Sequence, residues 1–410
     1  MRVVIMAVGS RGDVAPFTGL AQRLRNEGHE VVIATHRLFE EMVSSSGSEF
    51  APLPMDTNEE LNARLARGGV SSPVKVVQAF NRMLVENAPE AAEAMQTALK
   101  SADVAMLTPG AWIGAHIAEA LSVASVGAYL QPMSPTREFP PPTLGTRSLG
   151  GWANYRSAEM LRSLGQRPYR GFIRELRQSL GLPPITTRRW FAELERQRWP
   201  ICHGFSPHVV PQPADWPPWH RPVGYWWPAT DSAYTPDARL ADFISAGERP
   251  IYVGFGSMPS SDGRALSQMV AAAVKESGVR AVVHAGWAEL ELTGDNVLTV
   301  SDVPHDWLFP QMAAVVHHAG AGTTAAGLRA GVPTLAVPHM MDQPFWAQRI
   351  HRLGAGPEPI PFRRLSASRL SDGLREVRAN PAYRTAARRL SDLLACEDGA
   401  RGVLETLEAL

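Results

Sequence analysis

The stretch "HHAGAGTTAAGLRAGVPTLAVPHMMDQPFW" (residues 317–346) decides the fold of the chain. It passes from an apolar run through a Gly-Ala-Gly turn into a helical pattern, and a second apolar run follows at 333–339. A strand, a tight turn, a helix and a second strand form one βαβ unit, from which parallel sheets are built. Polar residues follow both strands, so the stretch is a candidate for ligand binding as well as a signal of the fold.

The rest of the chain repeats this alternation of strand and helix patterns. Strands are predicted at 3–8, 29–36, 102–108, 124–130, 199–207, 250–257, 280–286, 296–302, 313–320 and 333–339. From about residue 366 the pattern is helical. We therefore predict an α/β fold with two Rossmann-like, doubly wound domains that face a cleft, and a helical carboxy-terminal segment.

A segment rich in proline and tryptophan interrupts the alternation. "VVPQPADWPPWHRPVGYWWP" (209–228) holds six prolines and four tryptophans, which suits a stiff interdomain linker. The tryptophans fit either hinge packing or a ligand platform. We predict a first domain over 1–210, a linker over 211–232 and a second domain over 233–410, whose last helix is free to pack back on the first domain.

The bulk properties exclude several classes of protein. A chain of 410 residues suggests two or three domains. Its 40 Lys and Arg balance 40 Asp and Glu, so no overall field favours nucleic acid or an anionic membrane. Two cysteines make a disulfide framework unexpected, and no apolar run is long enough for a signal peptide or a membrane span. The expectation is a cytoplasmic monomer or homodimer without stable membrane insertion.

The turn at residues 318–324 has the features of an anion site. Gly320 and Gly322 allow close approach of a ligand to the backbone, and the free amides at a helix start attract negative charge. His318 and Thr323 would add further donors. A glycine turn with threonine as helix cap accounts for the same residues, so both interpretations stay open here.

A second polar pair lies at the end of the next strand. Asp342 and Gln343 stand where open α/β sheets bind ligands, and a carboxylate beside an amide can hold the hydroxyls of a sugar. The alternative is an ordinary helix start, because Asp342 is followed by Gln343 and Pro344.

The first strand ends in "GSRGDV" (9–14), which does not have the Gly-x-Gly-x-x-Gly spacing of a dinucleotide fold. Asp13 lies at the end of a strand that faces the cleft, where a carboxylate could accept a proton from an attacking hydroxyl. Its alternative role is to cap the helix that begins there.

Two long motifs resemble one known family. The run 303–350, "VPHDW" through "WAQRI", is similar to the donor signature of GT-B glycosyltransferases of family 1. It resembles above all the sterol glucosyltransferases and the actinobacterial enzymes that glycosylate glycopeptide, macrolide and other polyketide antibiotics. The run 9–31, "GSRGDVAPFTGLAQRLRNEGHEV", resembles the amino-terminal motif of the same group. The resemblance is weak from about residue 56 to 200.

The resemblance implies roles for the residues of both motifs. A donor diphosphate would be bound by His318, Gly320, Ala321, Gly322, Thr323 and Ser257, the donor sugar by Asp342 and Gln343, and the nucleoside by Val303 and Trp287. Two departures stand out. Ala319 replaces a glycine of the usual His-His-Gly-Gly, and Ala326 stands where many relatives bind ribose with a glutamate, which leaves UDP or dTDP open.

The resemblance also implies a mechanism. Asp13 would be the base, Ser10 would help to orient the acceptor, and attack on the anomeric carbon would invert its configuration. No Asp-x-Asp occurs in the chain, so we expect the helix dipole to replace a metal ion, and no cofactor other than the nucleotide-sugar co-substrate. Trp112 and His116, with the loop 131–145, are expected to line the acceptor pocket, although a core position suits a tryptophan equally well.

The leading hypothesis is therefore an inverting O-glycosyltransferase with a nucleotide-sugar donor and a hydrophobic natural product as acceptor. One alternative is a sugar-nucleotide 2-epimerase, which shares the two-domain architecture and needs no acceptor. The other is a non-catalytic nucleotide-sugar-binding subunit that requires a partner protein.

Overall fold

Two parallel sheets organise the chain in the computed structural model, which describes residues 1–54, 85–230, 234–255, 263–286, 294–301 and 303–410. The first sheet has the strand order β3-β2-β1-β4-β5-β6-β7 and the second has the order β10-β9-β8-β11-β12. All strand pairs are parallel. The predicted fold class, two doubly wound α/β domains, is confirmed.

The first domain contains the following elements: β1 Arg2–Met6, α1 Arg11–Asn26, β2 Glu30–His36, α2 Glu40–Ser45, β3 Glu49–Leu53, α3 Ala88–Leu99, β4 Val104–Leu107, α4 Gly114–Leu121, β5 Ala124–Tyr129, α5 Gly151–Gly165, α6 Arg170–Ser179, α7 Thr187–Arg196, β6 Ile201–His203 and β7 His220–Pro222. The second contains α8 Ala238–Ser245, β8 Ile251–Gly254, α9 Gly263–Ser277, β9 Ala281–His284, β10 Val297–Val300, α10 His305–Leu308, β11 Ala314–His317, α11 Ala321–Arg329, β12 Thr334–Ala336, α12 Gln343–Arg352, α13 Ala367–Ala379, α14 Pro381–Ala395 and α15 Gly399–Glu408. Short 3₁₀ turns connect several of them.

Alternation of side chains along the strands builds a core on each face of the first sheet. Val3 and Ile5 face α1 and α15, while Val4 and Met6 face the layer of α3, α4 and α7. Because successive strand residues point to opposite faces, a strand covered on both sides must be apolar throughout. This is why the parallel strands appear in the sequence as continuous hydrophobic runs.

A third apolar cluster joins the two domains. Phe205 and Trp216 of the first domain pack with Phe345 and Trp346 of α12. The last helix, α15, contacts α1 and β6, so the second domain is followed by a helix that covers the first. The range 211–232, predicted as the linker, contributes β7 to the first sheet.

No helix within the described ranges is both long and apolar enough to cross a lipid bilayer.

Candidate functional site

The candidate site lies where the strand order of each sheet reverses. In the first sheet this point is between β1 and β4, and in the second it is between β8 and β11. Connections from these neighbouring strands leave in opposite directions, which opens a crevice at the carboxyl ends of the strands. Asp13 follows β1, and His318 follows β11. Both residues, which the sequence predicted as site residues, therefore lie at these crevices.

Asp13 turns back onto the start of its own helix. Its Oδ2 atom accepts hydrogen bonds of 2.9 Å from the backbone amide and from the hydroxyl of Ser10. Gly9 makes this possible, because its φ is +150° and a Cβ there would lie 2.5 Å from Asp13 Oδ2. Asp13 therefore does cap α1, and its second oxygen, Oδ1, is left for another partner.

Oδ1 of Asp13 lies at a small cavity between the ends of β1, β4 and β5. The cavity measures about 100 Å³ and is lined by Asp13, Gln131 and mainly apolar or backbone groups such as Val8, Gly110 and Leu130. The Gln131 amide nitrogen lies 3.4 Å from Asp13 Oδ1. The sequence predicted Gln131 only as the first residue of the loop 131–145 expected to line the acceptor pocket, and it did not single the residue out because it belongs to no motif.

His203 holds the start of this loop in place. Its Nδ1 lies 3.3 Å from the carbonyl oxygen of Gln131, and its Nε2 lies 3.2 Å from the hydroxyl of Ser134. Burial lowers the pKa of His203 to about 3, so the ring is neutral near pH 7. The Nδ1–H group then donates to the carbonyl, and Nε2 accepts from the serine.

The turn after β11 depends on a buried histidine and a strained alanine. Ala319 has a φ of 61°, a left-handed conformation that costs a residue with a Cβ about 1 kcal/mol. The amide of Ala319 donates to Nδ1 of His317 at 2.9 Å. His317 is fully buried, which keeps its pKa well below the usual value, so the ring is neutral and carries its proton on Nε2.

His318 and the start of α11 offer donors to an external anion. The Gly320 backbone allows the His318 ring to lie against it, because a Cβ at this position would stand 2.6 Å from Nε2. Burial lowers the pKa of His318 to about 4. Gly320 is the N-cap of α11 and supplies no side-chain cap, so the amides of Ala321, Gly322 and Thr323 have no partner within the helix.

Asp342 and Gln343 occupy the loop after β12, at the start of α12. Asp342 Oδ2 accepts a 2.8 Å hydrogen bond from the indole nitrogen of Trp346. The side-chain oxygen of Gln343 accepts from the amides of His339 and Met340, at 2.8 and 3.1 Å. This arrangement fixes both side chains at the cleft and leaves the Gln343 NH₂ group available.

Asp13 and Asp342 belong to opposite domains, and the charge of one acts on the other. Burial raises the pKa of Asp342, and the negative charge of Asp13 raises it further. The helices α1 and α11 are also in contact. The structure thus brings the predicted base, the predicted sugar-binding pair and the predicted diphosphate site to one cleft.

Three further residues were predicted to bind the donor. Ser257 and Trp287 lie outside the described residues. Val303 is half-buried just before α10, where it packs against the core of the second domain.

The expectation for His116 in the acceptor pocket is wrong. Its side chain is 1% exposed, its ring centroid lies 4.0 Å from that of Trp190, and its Nδ1 lies 3.0 Å from Arg177. Trp112 packs edge-on against His116 in the same core cluster. Arg177 of α6 also forms an ion pair with Glu119 of α4 at 2.6 Å, so both residues of α4 bind the buried arginine and hold α4 to α6.

Each half of the chain matches a model of a known protein family. Residues 3–140 match the glycosyltransferase family 28 N-terminal domain, and residues 268–410 match the erythromycin biosynthesis protein CIII-like C-terminal domain.

Two sterol 3-beta-glucosyltransferases of Arabidopsis thaliana, UGT80A2 and UGT80B1, are each 36% identical over 99% of this chain. The chain spans 65% and 67% of their respective lengths. Among solved structures, the glycosyltransferase of kitacinnamycin aligns over 100% of this chain and 98% of its own with a TM-score of 0.75. Its sequence identity is 19%, so this likeness establishes the shared GT-B fold.

Proposed function

Since this chain belongs to the glycosyltransferase family that contains the sterol 3-beta-glucosyltransferases, we propose that it transfers a sugar to a hydroxyl group of a hydrophobic acceptor. The proposed donor is a UDP- or dTDP-sugar, and the proposed acceptors are sterol-like, polyketide or macrolide, and glycopeptide aglycones. The observation that carries the proposal is that Asp13 of the first domain and Asp342 of the second interact through their charges, on helices that accompany the open start of α11.

Asp13 is the proposed general base. Because Ser10 already donates two hydrogen bonds to Oδ2, the oxygen available to an acceptor hydroxyl is Oδ1, which lies at the small cavity. Oδ1 takes the proton of that hydroxyl as its oxygen attacks the anomeric carbon. Gln131, on the other side of the cavity, orients the carboxylate or the acceptor through its amide.

The diphosphate is the proposed leaving group on the opposite side of the sugar. The first amides of α11 and the neutral ring of His318 donate hydrogen bonds to the negative charge that develops on it. Attack from the Asp13 side and departure on the α11 side invert the anomeric configuration. We further propose that this helix start stabilises the leaving group without a divalent metal ion.

Asp342 and Gln343 are the proposed ligands of the sugar. Trp346 holds one oxygen of Asp342, so the other oxygen and the free NH₂ group of Gln343 face the cleft together. A carboxylate and an amide side by side match adjacent hydroxyls, which both donate and accept.

The test is product formation by the purified chain. Mass spectrometry is run on a panel of UDP- and dTDP-sugars against sterols, macrolides and aromatic polyketides, with and without a chelator, and NMR of each product gives the anomeric configuration. A glycoside of inverted configuration in the presence of chelator is expected. An epimerised nucleotide sugar without acceptor would contradict the proposal, and so would transfer that requires a second protein.

A further inference from the structure

Three arginines line a cavity at the amino-terminal ends of the strands of the second sheet. The cavity has a volume of about 220 Å³, and Arg249, Arg384 and Arg388 line it together with Gly331, Ser391 and Asp392. Arg249 precedes β8, and Gly331 precedes β12, so the cavity lies at the amino ends of these strands. The candidate donor site lies at their carboxyl ends, so the two sites are separate.

The three positive charges lie close together without a neutralising partner. Burial lowers the pKa of Arg384, and the charges of Arg388 and Arg249 lower it further. Within the described ranges, none of the three forms an ion pair, and Glu248, the neighbour of Arg249, pairs with Arg378 instead. Asp392 lines the cavity but is not paired with any of them. Uncompensated like charges cost free energy, which a bound anion would recover.

Most hydrogen-bond donors of these arginines remain available. Arg384 donates to the carbonyl of Ala313 at 2.5 Å, and Arg249 donates to the carbonyl of Pro310 at 3.3 Å. These bonds hold two guanidinium groups at the cavity, but each group has five N–H donors. Arg388 has no such bond among the described residues, so its whole guanidinium is free to bind.

The backbone at Gly331 brings the third arginine into place. Gly331 has a φ of +66°, and a Cβ there would lie 3.4 Å from the Cα of Arg388. The absence of a side chain lets α14 approach the end of α11 closely enough to carry Arg388 to the cavity.

We propose that this cavity is a binding site for a phosphate-bearing ligand, held by Arg249, Arg384 and Arg388. Planar guanidinium groups bind phosphate oxygens through paired hydrogen bonds, and a dianion neutralises most of the local charge. The volume is smaller than a pocket for a drug-sized molecule, so the bound part is a phosphate or diphosphate group. A free anion and a lipid headgroup share this chemistry.

The test is calorimetric titration of the full chain with pyrophosphate, in the presence of excess UDP and dTDP to fill the donor site. One pyrophosphate is expected to bind the original chain, and Arg249→Gln with Arg388→Gln is expected to weaken it about tenfold or more. Arg389→Gln is the matched control, since this exposed residue is the neighbour of Arg388 on α14 and does not line the cavity. Thermal unfolding of each variant verifies that it is folded.

Two further arms distinguish the sources of the phosphate. His318→Ala, tested without nucleotide, is expected to retain the cavity-bound pyrophosphate, which separates this site from the donor site. Sedimentation with phosphatidylcholine vesicles that contain or lack phosphatidic acid shows whether the arginines bind a lipid headgroup. The proposal is overturned if the double variant and the original chain bind pyrophosphate with equal affinity. It is also overturned if ligand binding does not depend on the arginines in either arm.

Discussion

The two sides of the cleft are built from the same strand-turn-helix unit, but only one of them carries a negative charge at the start of its helix. Each has a strand, a glycine turn and a helix with glycine at its second position, Gly12 in α1 and Gly322 in α11. At the third position α1 has Asp13, whose carboxylate bonds to the N-cap amide. The third residue of α11 is Thr323, and its N-cap Gly320 has no side chain.

This difference assigns the two sides different chemistry. The start of α1 already holds an anion of its own, so a phosphate would be repelled there and the carboxylate is available as a base. The start of α11 holds none, so its field is free for a ligand. One residue at one helical position therefore separates the proposed proton-accepting end from the proposed anion-binding end.

The largest expected effect comes from removing the charge on the first side. Asp13→Asn keeps the shape of the side chain but cannot accept the acceptor's proton, so the transfer rate should fall by about 10²- to 10⁴-fold. Nucleotide affinity, measured by calorimetry, should not change. Asp237→Asn is the control, because Asp237 caps α8 with the same type of bond. A residual rate within a few-fold of the original would show that Asp13 is not the base.

The next effect comes from making the second side resemble the first. Thr323→Asp puts a carboxylate at the third position of α11, where it should cap the helix and repel the diphosphate. Nucleotide affinity should fall about a hundredfold. Thr323→Asn has a similar shape without the charge and should bind nearly as well as the original chain. Equal affinities of the two variants would mean that the start of α11 does not bind the diphosphate.

Removal of the imidazole on the second side should have a smaller effect. His318→Ala deletes one donor to the diphosphate, so the dissociation constant of UDP or dTDP should rise about tenfold in calorimetry. His351→Ala, an exposed histidine on α12, is the control. Unchanged binding by His318→Ala would contradict its proposed role.

A milder change is expected at the residue that contacts the base. Gln131→Leu keeps the size of the side chain but removes its amide, and kcat should fall about tenfold while the donor KM stays the same. Gln131→Asn retains the amide on a shorter side chain and should recover part of the rate. A similar loss in both variants, together with lower thermal stability, would indicate a packing role only.

The last expected effect concerns stability in acid instead of activity, and it involves both sides. His203 and His318 have folded-state pKa values of about 3 and about 4, below the ordinary value of 6.5. The unfolded chain binds more protons between pH 6.5 and about 4, so stability falls as the pH falls through this window. Each histidine contributes a slope of up to about 1.4 kcal/mol per pH unit. Denaturant titrations across this range measure it, and His203→Gln should reduce the slope.

The sequence predicted the central strands of both sheets and the two edge strands of the second sheet, but it missed the two edge strands of the first sheet. Strands such as β1 and β11 are covered on both faces, so they are apolar throughout and end at glycine turns. β3 was not predicted, because Glu49–Leu53 contains Pro52 and is largely exposed on one edge of the sheet. β7 was not predicted either, because its three residues lie among prolines that favour a linker.

The site was predictable where it belongs to a strand-turn-helix motif. Asp13, His318 and Asp342 each lie in the connection or helix start that follows a predicted parallel strand, so topology brings them to the same ends of the sheets. The loop 131–145 was predicted at the acceptor pocket, but the contact of Gln131 with Asp13 was not, since the position of Gln131 depends on a histidine 72 residues away along the chain. His116 was misplaced for the opposite reason, because the buried arginine that pairs with it comes from a later helix.

The position of α15 affects how this chain can be recombined with relatives. Val403 and Leu407 of α15 are buried in the core of the first domain, and the indole nitrogen of Trp226 donates to the carbonyl of Gly399. A chimera joined at residues 211–232 would therefore cover its first sheet with a helix from the other parent. Moving the first domain between parents requires a second junction, between α14 and α15, so that the covering helix is transferred together with its sheet.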